Sequence, residues 1–146
     1  MSIRDQVVSE ARSWLGTPYQ HQASLKGAGC DCLGLVRGVW RGVYGKEPEF
    51  PPPYSPDWAE AGGREALHDA AMRHLVPVAL KALQGGDVVL FRWRAHLPAK
   101  HAAIISSVGA GAAMIHAHDG ISVCEVPLSN WWRRRMAFGF SFPEEA

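Results

Sequence analysis

GCDCLGL, residues 29–35, places two cysteines one residue apart at the point where a helical apolar pattern begins. From Cys32 to Val43 the apolar residues recur every three or four positions, which is the spacing of one helix face. Asp31 stands where a helix N-cap is expected, and Gly45 follows the end of the pattern. The sequence therefore predicts a helix whose first turn carries Cys32, with Cys30 in the loop that leads into it.

Two further helices are predicted, one on each side of this segment. Residues 3–15 carry apolar side chains at helical spacing, Ser2 can cap their start, and Gly16-Thr17-Pro18 ends the pattern. Residues 46–57 contain five prolines and are predicted to be a surface loop, because proline interrupts regular hydrogen bonding. A third helix is predicted over about 64–75.

The second half of the chain changes to short runs rich in β-forming residues. Asp119-Gly120 is typical of the two-residue turn of a hairpin between two of these runs. Helices followed by a meander of strands are typical of an α+β fold. We therefore expect one domain over 1–146, in which N-terminal helices pack on an antiparallel sheet of five or six strands. The predicted strands are 87–92, 101–107, 112–118, 121–126 and 136–140.

The composition limits the partners that the chain can have. Fifteen Lys and Arg balance fourteen Asp and Glu, so charge gives no reason to expect nucleic acid or an anionic membrane as a partner. The N-terminal segment mixes charges into its apolar positions, which argues against a signal peptide and against insertion into a membrane. The run WWRRR, residues 131–135, is too short to indicate nucleic-acid binding, and a solvated edge or a docking site for a partner fits it better.

Cys32 and two later histidines have the residue types of a thiol nucleophile and its base. A thiol attacks as the thiolate, and a helix N-terminus lowers its pKa through the helix dipole and the free backbone N–H groups. The same N–H groups can face an oxyanion during acyl transfer. His101 opens one predicted strand and His116 lies near the end of the next, so antiparallel pairing could set their rings side by side.

Five sequence blocks follow one another along the chain: WLGTPY at 14–19, DCLGLV at 31–36, GDVVLF at 86–91, HAAII at 101–105 and MIHA at 114–117. In this order they resemble the NlpC/P60 cell-wall peptidases, over about residues 7–120. The resemblance implies a papain-like core and hydrolysis of peptide bonds in peptidoglycan stem peptides, with no metal and no organic cofactor. It also implies that Cys32 is the nucleophile, His101 the general base and His116 the orienting residue, while Tyr19 lines the oxyanion side.

The longer block 16–40, GTPYQHQASLKGAGCDCLGLVRGVW, is similar to the phage-tail and gene-transfer-agent branch of this family. This similarity implies synthesis in the bacterial cytoplasm, assembly into a virion tail beside tail-tip or baseplate proteins, and action in the periplasm of the target cell. Leu33 stands where the family usually has serine, and the resemblance gives Asp31 a contact with substrate. In some members the serine and the aspartate bind a free substrate amine, so Leu33 leaves the cleaved bond open.

A zinc-binding protein is an alternative interpretation of the same residues. Cys30, Cys32, His116 and His118 are zinc-favouring ligand types, and Cys124 could join them. The spacing argues against such a site, because Cys-x-Cys and His-x-His lack the two-residue separation that is usual in structural zinc sites. We therefore expect no metal at these residues.

The residue pattern leaves open whether the chain turns over substrate and which histidine orients the base. A structural adaptor of the tail tip could keep the fold while being catalytically silent. His116 and His118 share one strand face, so either could orient His101. His21 follows Tyr19 by two residues and could line the cleft.

Overall fold

The computed structural model describes residues 1–47 and 65–145, with four helices and eight strands in those ranges. The helices are α1 (Ile3–Arg12), α2 (Cys32–Tyr44), α3 (Ala66–His74) and α4 (Asn130–Arg133). The strands are β1 (Ser24–Leu25), β2 (Gly29–Cys30), β3 (Val76–Val78), β4 (Val88–Phe91), β5 (His101–Ser107), β6 (Ala113–His118), β7 (Ile121–Pro127) and β8 (Met136–Ser141). Most of the predicted proline-rich loop, residues 48–57, lies outside the described residues.

Local sequence signals set the ends of α1 and α2. Ser2 and Asp5 form a reciprocal capping box at the start of α1, as the predicted cap requires. This helix ends at Arg12 and not at 15, because the following N–H groups bond to carbonyls three residues back in tighter turns. The predicted bounds of α2 are confirmed: Asp31 caps its start, and Gly45 ends it with a φ of 86°, which glycine adopts without steric cost. Within the described ranges, no helix has the length and apolar character needed to span a membrane.

The predicted α+β fold is confirmed, with a sheet of six antiparallel strands in the order β3-β8-β4-β5-β6-β7. All five predicted strands are present, and Asp119-Gly120 turns between β6 and β7. The sixth strand, β3, was not predicted because it has three residues with Pro77 at its centre. Proline is tolerated there because β3 lies at the edge of the sheet.

The two faces of the sheet have different covers. Val88 and Leu90 point to the layer of α1 and α2, where they pack in one buried cluster with Val7 and Leu35. The intervening residues of β4 belong to a second cluster, which the segment around Trp132 helps to cover. Because α1 and α2 lie on one face, the start of α2 is brought against β5 and β6 in the middle of the sheet.

Candidate active site

Asp31 fixes the start of α2 and ties it to the loop before it. Its Oδ1 accepts a hydrogen bond from Gly34 N at 2.7 Å, as an N-cap does, and its Oδ2 accepts one from Gln22 N at 2.8 Å. Gly34 is required here, because a Cβ on that residue would lie 1.9 Å from the carbonyl oxygen of Ala23. The first turn of α2 is therefore held against the loop, with Cys32 as its first residue.

Tyr19 is joined to the same helix start by backbone pairing. It forms a parallel bridge with Cys30, in which Cys30 N donates to Pro18 O and Gln20 N donates to Cys30 O, each at 3.0 Å. Burial, followed by the negative charge that Cys32 can carry, raises the pKa of Tyr19 to about 12. The Tyr19 hydroxyl is therefore protonated at neutral pH and can donate a hydrogen bond.

The sulfur of Cys32 lies against the first residues of β5. Its Sγ is 4.0 Å from the carbonyl oxygen of Lys100, the residue immediately before His101. The backbone N–H groups of Ala102, Leu33 and Cys32 itself act to lower the pKa of the thiol. The start of α2 thus places the Cys32 thiol beside the N-terminal end of β5, the strand that begins with His101.

The pKa of Cys32 contradicts the expectation that a helix N-terminus would favour the thiolate. Burial of the thiol, followed by the negative charge of Asp31, raises its pKa from 9.0 to about 12. The neighbouring N–H groups act in the opposite direction but do not outweigh burial. Cys32 is therefore a neutral thiol at neutral pH and needs a base to remove its proton.

His101 and His116 form a hydrogen-bonded pair on adjacent strands. His101 Nε2 and His116 Nδ1 are 2.9 Å apart, and the two residues are 4 % and 3 % exposed. Burial, followed by the neighbouring histidines, lowers the pKa of His101 well below its ordinary range, and burial lowers that of His116 to about 4. Both rings are therefore neutral at neutral pH, and the bond through Nε2 leaves Nδ1 of His101 to take a proton.

Of the two histidines on β6, His116 is the one in hydrogen-bond contact with His101. The ring of His118 is half-buried, and its centroid lies 5.3 Å from that of His101 in an edge-on arrangement. The geometry thus gives His116 the position from which a base can be oriented.

The remaining predicted site residues lie around the start of α2. Leu33 is half-buried and packs against the core cluster beneath the helix. His21 is also half-buried, with its Nδ1 3.8 Å from Asp31 Oδ2. The structure therefore brings Tyr19, Asp31 and Leu33 to the same end of α2 as Cys32, with His21 beside Asp31.

Two tryptophans pack on the histidines. Trp93 lies in the loop 93–100, which its place directly before His101 makes a candidate wall of the substrate groove, whereas the sequence does not place Trp132 at the site. Trp93 stacks on His101 with ring centroids 5.5 Å apart, and Trp132 lies 5.6 Å from His101 and 5.3 Å from His116. The solvated edge expected for residues 131–135 is therefore wrong for Trp132, which forms part of the wall around the histidines. The only sequence signal for this wall is the position of Trp93 in the loop directly before His101.

The structure does not assemble the four residues of the alternative zinc site. Within the described residues, the group of potential metal ligands consists of His101, His116 and His118. One ring nitrogen from each of them lies within 4.8 Å of the others, and no cysteine belongs to the group. Cys30 is fully buried in its backbone pairing with Tyr19. Histidines alone could therefore hold a metal ion here.

Comparison with known proteins gives a structural likeness and no sequence match. No family model matches the chain, and no curated protein matches it. The structure superposes on the NlpC/P60 domain of the peptidoglycan hydrolase SagA with a TM-score of 0.63 and 23% identity, over 95% of this chain and 98% of that one. The chain has the NlpC/P60 fold.

Two longer proteins contain the same fold as one part of their chain. An NlpC/P60 family protein from Bacillus cereus has a TM-score of 0.65 and 22% identity over 95% of this chain, but the match covers only 40% of its own length. The peptidoglycan hydrolase RipB from Mycobacterium tuberculosis has a TM-score of 0.57 and 21% identity over 94% of this chain and 63% of its own. At these identities the likeness to NlpC/P60 structures establishes the fold.

Proposed function

We propose that the protein is an NlpC/P60 cysteine peptidase that hydrolyses peptide bonds in peptidoglycan stem peptides. The observation that carries the proposal is the thiol of Cys32 at the first position of α2, beside the strand that presents the hydrogen-bonded pair His101 and His116. Two structures with this fold are named as peptidoglycan hydrolases, which supports the substrate class.

The first half of the proposed reaction forms a thioester. His101, neutral and bonded through Nε2 to His116, accepts the thiol proton of Cys32 on Nδ1 as the sulfur attacks the carbonyl carbon of the scissile bond. Backbone N–H groups at the start of α2 and the hydroxyl of Tyr19 stabilise the oxyanion. The imidazolium of His101 then protonates the departing amine, and the C–N bond breaks.

The second half returns the site to its starting state. His101 removes a proton from water as the water oxygen attacks the thioester carbonyl, the C–S bond breaks, and the Cys32 sulfur regains that proton from His101. The carboxylic acid product leaves and gives its own proton to solvent. His116 accepts the Nε2–H bond of His101 throughout and so keeps its tautomer and ring orientation. Because both the thiol and the imidazole are neutral at rest, proton transfer accompanies attack and does not precede it.

The decisive experiment is digestion of purified sacculi followed by mass spectrometry of the released fragments. The parent protein should release stem-peptide fragments whose new termini name the bond, and Cys32→Ala should release none. Cys124→Ala is the control for loss of a thiol. Cys124 is paired with His116 across β6 and β7 but has no part in the proposed reaction, so its loss should leave the fragments unchanged. Fragments that persist in Cys32→Ala would refute the assignment of the nucleophile.

A catalytically silent adaptor is the second candidate, and the raised pKa of Cys32 is the observation that favours it. A partly buried, neutral thiol without a working base would be inert. The two candidates differ in the reaction of Cys32 with an acyl-transfer probe such as a peptidyl fluoromethyl ketone. A peptidase should be labelled at Cys32 and should lose this labelling in His101→Ala, whereas an adaptor should be labelled no faster at Cys32 than at Cys124.

Delivery on a phage-like tail is a finer part of the proposal, and the similarity of residues 16–40 to tail-associated relatives supports it. The partners would be tail-tip or baseplate proteins, and the site of action the periplasm of the target cell. Mass spectrometry of purified particles from a producing host tests this, since the protein should copurify with tail proteins and be absent from tail-less particles. Its absence from intact particles would contradict delivery and leave the peptidase proposal standing.

The specificity of the site is proposed to depend on Leu33. An apolar side chain here offers no hydrogen bond to a free substrate amine, so we expect cleavage of stem peptides whose amine is blocked or linked. Leu33→Ser should increase cleavage of stem peptides with a free amine relative to linked ones. An unchanged ratio in an active Leu33→Ser protein would remove Leu33 from the determinants of specificity.

A further inference from the structure

Three histidine rings converge at the candidate active site, although the proposed reaction uses two. His101 comes from β5, and His116 and His118 come from the same face of β6. Their ring centroids are 5.1, 5.3 and 5.6 Å apart, and one nitrogen from each ring lies within 4.8 Å of the others. His118 is therefore a third nitrogen ligand beside a pair that already has its hydrogen bond.

The spacing of these nitrogens is close to that of a zinc site. Zinc bonds imidazole nitrogen at about 2.0–2.1 Å in tetrahedral geometry, which sets the nitrogens about 3.4 Å apart. Here the closest pair is 2.9 Å apart and no pair exceeds 4.8 Å, so small rotations of the rings would bring all three to bonding distance. Three histidines with an open fourth position are a ligand set that proteins use for zinc.

We infer that His101, His116 and His118 form a binding site for a borderline divalent cation of the Zn²⁺ type, and that the bound ion blocks the peptidase chemistry. The second half of this inference rests on the proposed function, whereas the first half rests on the cluster alone. The ion would take His101 Nε2 and His116 Nδ1, the two atoms that now share a hydrogen bond.

Metal binding and base catalysis exclude each other at His101 for a simple reason. A neutral imidazole that gives one ring nitrogen to a metal keeps its proton on the other nitrogen. With the ion on Nε2, the Nδ1 of His101 carries a proton and cannot accept the one from Cys32. The site would thus be held inactive while the ion is bound and would recover when a chelator removes it.

Binding is tested by calorimetric titration of the Cys32→Ala protein with ZnCl₂, a background that removes the thiol as a ligand. One equivalent should bind, and adding His118→Asn should weaken binding by at least about tenfold. Loss of a group that only supports a metal ligand already costs about 10–100-fold in affinity, and His118 is itself a proposed ligand. His96→Ala is the matched control, because His96 is an exposed loop histidine outside the cluster, and its affinity should be unchanged. Circular dichroism checks that each variant is folded.

A second readout separates coordination from loose association. Co²⁺ bound by three nitrogens in tetrahedral geometry gives visible absorption bands, which should appear in Cys32→Ala and be lost in the His118→Asn and His118→Gln variants of that background. Absence of one-equivalent binding, or an equal loss of affinity in His96→Ala, would overturn the metal site.

The inhibitory part is tested on the parent protein with sacculi. Zn²⁺ should suppress fragment release over the same concentrations at which it binds, EDTA should restore it, and His118→Asn should need at least about tenfold more Zn²⁺ for the same suppression. Full activity with the ion bound would overturn this part alone. A protein that binds Zn²⁺ but releases no fragments under any condition would refute the proposed function and leave the metal site intact.

Discussion

Replacing Asp31 by asparagine should destabilise the fold and at the same time make Cys32 more reactive. The carboxylate of Asp31 is 3 % exposed and accepts N–H bonds from Gly34 at 2.7 Å and from Gln22 at 2.8 Å. Asparagine can keep the first bond, because it caps helices as well as aspartate does, but its amide nitrogen then faces the second donor. A buried N–H without an acceptor costs about 1–3 kcal/mol, so the free energy of unfolding should fall by about 2 kcal/mol.

The same substitution removes a negative charge that raises the pKa of Cys32 to about 12. A charge in contact with a titrating group shifts its pKa by about one unit or more, so the pKa of Cys32 should fall by about one unit in Asp31→Asn. Below the pKa, each unit multiplies the thiolate fraction by about ten. Each thiolate becomes a somewhat weaker nucleophile as its pKa falls, so alkylation of Cys32 near neutral pH should be about three- to tenfold faster in the variant than in the parent.

The assay is a time course with iodoacetamide, followed by proteolysis and mass spectrometry. Cys30 and Cys32 share one tryptic peptide, so fragment ions must assign the label to one of them. Cys30 is fully buried and reports unfolding, because its label should appear only when the chain opens. Urea denaturation of the same samples gives the change in stability, and Asp31→Ala, which also loses the N-cap, should be less stable by about a further 1 kcal/mol.

Two results would refute this reasoning about Asp31. A folded Asp31→Asn protein in which Cys32 reacts no faster than in the parent would show that the charge of Asp31 does not control the thiol. A faster reaction shared equally by Cys30 would attribute the gain to opening of the chain and not to the lost charge.

Three further changes test other parts of the structure by urea denaturation. Folding lowers the pKa of His116 to about 4, so the free energy of unfolding of the parent should fall as the pH is lowered from about 6.5 to 4. This fall should be up to about 3 kcal/mol larger in the parent than in His116→Gln, and an equal fall in both proteins would contradict the prediction. Gly34→Ala should lower the free energy of unfolding by about 3 kcal/mol, since the new Cβ would lie 1.9 Å from the Ala23 carbonyl oxygen. A variant as stable as the parent would show that the two backbone segments are not in such close contact. Asp87→Ala should lower the free energy of unfolding by about 2 kcal/mol, because the buried Asp87 carboxylate accepts bonds from Arg4 Nη1 at 2.5 Å, Ser141 Oγ at 2.7 Å and Gln84 N at 2.8 Å. A loss under about 1 kcal/mol would show that these bonds contribute little.

The sequence predicted those elements whose signals are local. Asp31 and Gly45 bound α2 because a cap side chain and a left-handed glycine act within one turn of the helix end. Runs of β-forming residues predict the strands β4 to β8, and two residues alone, Asp119-Gly120, predict the turn between β6 and β7. The three-residue strand β3 was missed, because pairing along the edge of the sheet, and not its own composition, makes it a strand.

The candidate site was predictable in its residue types and not in its electrostatics. The positions of Cys32, His101 and His116 follow from helix start and strand order, which the sequence shows. The raised pKa of Cys32 and the packing of Trp132 on the histidines depend on which segments cover the site, and those segments are distant in sequence. Such contacts leave no periodicity or spacing to detect.

The backbone bridge between Tyr19 and Cys30 joins the loop to the start of α2. The bond from Gln22 N to Asp31 is a second connection between them, so we expect residues 18–34 to move together as one rigid segment. In protein engineering, an exchange with a relative would have to replace this segment whole, so that the Tyr19 hydroxyl and the Cys32 thiol keep their relative positions. A chimaera joined between Tyr19 and Cys32 would pair a loop and a helix start that come from different proteins.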